Sequence, residues 1–188
     1  MVDGTPSREE ALAILHEFTA SPNLRKHAVA VGAAMRAYAM QAGEAADRWE
    51  SVGLLHDFDY ERYPSLDEHP YKGADILRAR GVSEDFIRDI FSHAPHTGQP
   101  RDTRLRKAIF ACDELCGFIV AVALIQPSKK LAEVRVESVL KKLKQKGFAA
   151  NVSRDDIERG ASELGVSLEA HIATVLTALQ ERAKELGL

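Results

Sequence analysis

Apolar positions along this chain recur at intervals of three and four residues, and no segment sustains the apolar/polar alternation of a half-buried strand. The pattern predicts an all-α fold. Ser7, with Glu9 and Glu10 after it, opens a first helix whose Leu12, Leu15 and Phe18 form one face until Ser21 and Pro22 stop it. Asn23 is expected to cap a second helix carrying Leu24, His27, Val31, Met35 and Tyr38 up to Gly43, and a third runs from about Glu44 to Asp57. The stretch FDYERYPSLDEHP, with two prolines and no helical period, reads as a loop closing over what the third helix presents. Further helices are expected from about Tyr71 to Arg80 and from Ser83 to about Ala94. The run AIFACDELCGFIVAVALI, bounded by Pro100 and Pro127, should be the central and nearly fully buried helix. After Ser128 the chain turns basic (KKLKQKG). Two capped helices then start near Ser153, where Asp156 completes a capping box, and near Ser167.

Composition narrows the classes. At 188 residues, 45% of them hydrophobic, the chain is one domain's worth of material. A formal charge of −3 argues for neither nucleic acid nor an anionic membrane as partner. No run of 18 or more apolar residues exists, and the N-terminus lacks the basic residues of a signal peptide, so a soluble, cytoplasmic protein is expected. Cys112 and Cys116 are too few for a disulfide framework or a cysteine-based zinc module. Five of the seven histidines fall between residues 27 and 96.

The chemistry lies in polar residues on apolar faces. His27 shares its helix face with Leu24, Val31 and Met35, so its ring should turn to the core and need a partner there. His56 and Asp57 end the apolar run of Trp49, Val52 and Leu55. Asp113 sits in the most hydrophobic helix with no Lys or Arg within the following turn, and Glu114 beside it poses the same problem. Burying an unpaired carboxylate costs several kcal/mol, roughly enough to demand a cation, a metal or a hydrogen-bond network. Imidazoles and carboxylates converging from different helices are the donors that divalent transition metals favour, and one or two of Mn, Fe, Co, Ni or Zn would answer the burial problem.

The order His27, His56-Asp57, Asp113 resembles the HD superfamily of metal-dependent phosphohydrolases, whose pattern is H…HD…D on a helical core. The stretches EHPYKGADIL and IRDIFSHAPH resemble the segments that supply two further histidines in its binuclear members. The resemblance covers roughly residues 23–127, leaving 128–188 as a helical extension of a single domain spanning 1–188. It implies a first metal held by His27, His56, Asp57 and Asp113, with Asp57 bridging to a second held by His69 and His93. His96 stands as an alternative to His93.

By that resemblance the protein is a phosphomonoesterase or phosphodiesterase acting on a small phosphorylated or nucleotide substrate through metal-activated water. The two other readings it leaves open are a di-iron oxygenase using the same six ligands and a non-catalytic, ligand-sensing HD domain. Many members carry a phosphate-contacting lysine three residues after the Asp of HD, where this chain has Tyr60. Arg62, Lys72, Arg104, Lys107 and Lys129 are therefore the candidates for binding the phosphate, and Asp59 and Glu61 for orienting the water or protonating the leaving oxygen.

Overall fold

The computed structural model describes residue 1 and residues 3–188, and among them it is wholly helical, with no strand. Ten α-helices follow in order: α1 (Arg8–Phe18), α2 (Pro22–Ala42), α3 (Ala46–Leu55), α4 (Tyr71–Ala79), α5 (Glu84–Phe91), α6 (Arg104–Leu124), α7 (Val136–Leu143), α8 (Arg154–Leu164), α9 (Leu168–Glu181) and α10 (Ala183–Leu186). The expected all-α fold is therefore present. No helix among the described residues is long and apolar enough to cross a membrane.

Local chemistry sets the helix ends. Ser7 and Glu10 form a reciprocal capping box on α1. The cap of α2 is Ser21, whose side chain accepts from Leu24 N, with Pro22 in the first turn, so Asn23 lies inside the helix it was expected to cap. Helix α3 stops at Leu55, two residues before the expected end, and this releases His56 and Asp57 into a tight turn. The segment 58–70 is a chain of hydrogen-bonded turns rather than an open loop: Tyr63 N donates to Asp59 O at 3.0 Å and His69 N to Ser65 O at 2.9 Å. Phe58 is buried, and its carbonyl accepts from Thr19 Oγ1 at 2.9 Å, which fastens the segment to the end of α1.

Two glycine contacts govern the packing. A Cβ on Gly53 of α3 would lie 2.7 Å from Gly32 Cα, so α2 and α3 cross at backbone contact and bring His27 and His56 to the same end of the crossing. A Cβ on Gly160 of α8 would lie 2.6 Å from Ala111 Cα, which seats the C-terminal helices directly on α6. His171 of α9 locks that seat from behind, donating from Nε2 to Ala111 O at 2.9 Å while Nδ1 accepts from Tyr38 Oη at 2.6 Å. The central α6 is buried along most of its surface. Asp113, Glu114, Gly117, Val120 and Ala121 are only partly covered, and their spacing marks one open stripe down the helix.

Gly53→Ala is expected to lower stability by about 1–3 kcal/mol from overpacking, outweighing the roughly 1 kcal/mol that alanine gains in helix propensity. Gly147→Ala, where an added Cβ meets nothing within 4 Å, should leave the urea midpoint unchanged. Equal midpoints for the two variants would refute the close crossing.

Candidate metal centre

The turn after α3, the end of the 58–70 segment, the end of α5 and the open stripe of α6 meet at one place. His27 Nε2 lies 2.9 Å from Asp113 Oδ1, and His56 Nε2 lies 3.5 Å from the same oxygen. His69 Nε2 and His93 Nε2 each lie 3.2 Å from Asp57 Oδ1, while Asp57 Oδ2 lies 3.6 Å from His56 Nε2. Two groups result, His27–His56–Asp113 and Asp57–His69–His93, each offering donor atoms within 4.8 Å of one another and each able to hold a metal ion. Asp57 touches both. The four rings form a continuous edge-to-face chain, His27 to His56 to His93 to His69, with centroids 5.2 Å apart at each step.

Hydrogen bonds behind the rings fix which nitrogen faces the centre. His56 Nδ1 donates to Gly53 O at 2.7 Å, His93 Nδ1 to Ile90 O at 2.6 Å and His69 Nδ1 to Asp59 Oδ1 at 2.8 Å. Because these oxygens only accept, each of the three rings keeps a proton on Nδ1, and in the neutral form of the ring the Nε2 lone pair points inward. His69 Nε2 and His93 Nε2 then face each other 3.1 Å apart, an arrangement that needs a proton or a cation between them. His56 Nε2 is fully buried without a hydrogen-bond partner. An orphaned imidazole nitrogen among convergent lone pairs and carboxylates is a donor set that fits divalent transition metals.

The electrostatics agree. Burial opposes protonation of His56 and His69, but Asp57 and Asp113 beside the first, and Asp57 and Asp59 beside the second, outweigh it and push each up to about 9. Burial likewise opposes ionisation of Asp57 and Asp113, yet the neighbouring imidazoles hold both well below the usual carboxylate range. Without a metal, the centre keeps its balance by binding protons.

Other expected residues go elsewhere. His27 is not fully turned to the core, since 23% of its side chain remains exposed. Asp59 is 1% exposed, and its two oxygens accept from His69 Nδ1 and from Gly73 N at 2.8 Å each, so it holds a ring in place instead of facing water. A Cβ on Gly73 would lie 2.7 Å from Asp59 Cγ, which is why that position carries no side chain. Glu61 Oε2 accepts from Ala20 N at 2.7 Å and Ser21 N at 3.0 Å, capping the start of α2 away from the centre. His96 Nε2 donates to the His69 carbonyl at 2.9 Å, leaving His93 as the ring in the cluster.

A cavity of about 200 Å³ opens over the centre. Arg62, Lys72, Arg104, Lys107 and Lys129 do not line it. Arg62 is drawn off by the end of α1, where it donates to the Glu17 and Phe18 carbonyls and covers the Phe18 ring. Lys107 belongs to a separate shallow cavity with Arg101 and Glu163, and Lys72, Arg104 and Lys129 are exposed.

The cavity also holds two residues not expected there. Glu114 Oε2 accepts from Ser153 N at 3.3 Å, so a carboxylate from α6 replaces the expected Asp156 side chain in capping α8. Burial and the Asp113 charge push Glu114 up to about 7. Asp156, three residues into α8, lines the same wall. Its only sequence signal is the helix start at Ser153, which says nothing about what that start faces.

A profile of the HD domain family matches residues 24–117. Comparisons with curated proteins and with solved structures give no match.

The raised His56 and His69 values carry a sign. Their contribution to stability is complete below about pH 6.5 and is lost as pH rises through about 9. Metal-free protein should therefore melt progressively lower between those pH values, and protein loaded with a divalent metal should hold its melting temperature. A metal-free melting temperature that stays flat or rises across the window would contradict the charge balance described.

Proposed function

The chain belongs to the HD domain family, most of whose members are metal-dependent hydrolases, and on that premise we propose that it is a phosphohydrolase acting on a small phosphorylated molecule. The observation that carries this reading is Asp57, one carboxylate placed between two groups of metal-type donors. Divalent metals held by His27, His56 and Asp113 and by Asp57, His69 and His93 would lower the pKa of a coordinated water toward neutrality and offset the charge on phosphoryl oxygens.

The chain's own part is positioning. Gly53 O, Ile90 O and Asp59 orient three of the rings, so little reorganisation is required when the donors are used. Asp59 in turn is held by Gly73 N, which ties the His69 ring to the first turn of α4. Tyr60 packs edge-on against His69 at 5.4 Å, and with Pro95, His96 and Phe110 it lines the cavity over the centre. Asp59 and Glu61, occupied as they are, act as positioning and capping residues under this reading.

The test is phosphate release from p-nitrophenyl phosphate and bis(p-nitrophenyl) phosphate by manganese-loaded protein, run with and without oxygen. Equal release under both conditions is expected, with Asp57→Asn lowering kcat/KM by about a thousandfold or more and Lys72→Ala changing it by less than about twofold. Oxygen consumption without phosphate release would transfer the assignment to the di-iron oxygenase reading. Metal uptake with neither activity would leave a ligand-sensing domain.

A further inference from the structure

The open stripe of α6 runs on past Asp113 and Glu114 into a second cavity, of about 280 Å³, between α6 and the first turns of α2. Gly117, Val120, Ala121 and Leu124 form its α6 side, and Lys26 and His27 stand on its α2 side. His27 thus belongs both to the metal-type donors and to this cavity. Its Nε2 lies 2.9 Å from Asp113 Oδ1, while its Nδ1 has no hydrogen-bond partner among the described residues. The other three rings of the cluster have Nδ1 held by a carbonyl or by Asp59, so His27 is the one whose outer edge is left open.

Gly117 is what leaves it open. A glycine inside a long helix is unfavourable relative to alanine, so its presence needs a reason. Gly53 and Gly160 have one, because an added Cβ would strike backbone at 2.7 Å and 2.6 Å. A Cβ on Gly117 would meet only His27 Nδ1 within 4 Å, at the ordinary contact distance of 3.9 Å. Packing therefore does not demand glycine there, and the missing side chain keeps the His27 ring uncovered on the cavity side.

The two cavities that reach the centre also differ in charge. Glu114 and Asp156 line the first, with no lysine or arginine. Lys26 lines the second, with no aspartate or glutamate, and it is half-buried and enters no ion pair among the described residues. An anionic ester is favoured on the second side, and the aliphatic floor there suits an apolar organic group. We infer that the phosphorylated substrate carries an apolar chain, which lies along α6 from the open edge of His27 across Gly117 toward Leu124. The inference rests on the phosphohydrolase reading above. Gly117, Val120 and Ala121 become specificity residues, holding the part of the substrate that does not react.

The test compares hexyl phosphate with methyl phosphate on the manganese-loaded full chain, reading calorimetric affinity beside phosphate release. Hexyl phosphate is expected to bind about tenfold tighter or more, with the ratio falling toward one in Gly117→Leu and in Ala121→Gln. The second substitution fills the cavity one turn farther from the donors, so it tests the chain's path even where leucine at 117 displaces His27. Gly117→Ala is expected to melt higher than the unaltered chain, since alanine gains helix propensity and meets no close neighbour. A lower melting temperature would show that the fold demands the glycine and would overturn the inference. Equal affinities for the two esters, or a hexyl preference that survives both cavity-filling substitutions, would overturn it as well. A hexyl preference that both substitutions remove, with no phosphate released from either ester, would support the chain's place along α6 and count against hydrolysis.

Discussion

The constraint on which this structure depends is the cost of placing carboxylates inside an apolar helical shell. Asp113 projects from the most hydrophobic helix, and Asp57 follows a helix whose residues from Trp49 to Leu55 are all buried. Neither has a lysine or arginine partner, and both are surrounded by imidazoles. Isolated, such charges would be neutralised or would unfold their surroundings. Here they share four rings, and only positive charge at the centre makes the arrangement favourable. Protons provide it through His56 and His69, and divalent metals would provide it through the same nitrogens.

Holding four imidazoles in one orientation is a task for the backbone. Two of the rings are fixed by carbonyls three residues before them in the chain, Gly53 for His56 and Ile90 for His93, so the ends of α3 and α5 orient their own histidines. His69 comes from a turn with no preceding helix, and a buried aspartate replaces the carbonyl. The close glycine contacts at Gly53, Gly73 and Gly160 are the counterpart of this precision, each letting backbone or carboxylate approach where a side chain would stand. The ion pairs farther out, such as buried Glu50 with Arg8 at 2.7 Å and Arg36 at 3.0 Å, tie α1, α2 and α3 together away from the centre.

What was legible in the sequence was whatever follows from a residue's own helix. Periodicity showed His27, His56-Asp57 and Asp113 on apolar faces, and the family pattern added His69 and His93. The structure gathers those six into two groups. The partners of Asp59, Glu61 and Arg62 lie 10 to 45 residues away, so local spacing could not reveal that one would brace a histidine and the others would cap helix ends. Glu114 was visible as an unexplained carboxylate. Its acceptor role toward Ser153, 39 residues on, depends on how α8 sits against α6. The lysines and arginines read as candidate phosphate ligands lie outside the cavity lining for a related reason: proximity in sequence to the centre is not proximity in space.

The central claim is that Asp57 joins two metal-type groups into one centre. Elemental analysis of protein purified without chelator, and after reconstitution with manganese, tests it most directly. Two equivalents are expected in the unaltered chain, about one in His69→Ala, and close to none in Asp57→Ala, each variant remaining helical by circular dichroism. A folded, unaltered chain that neither contains nor takes up metal would contradict the account.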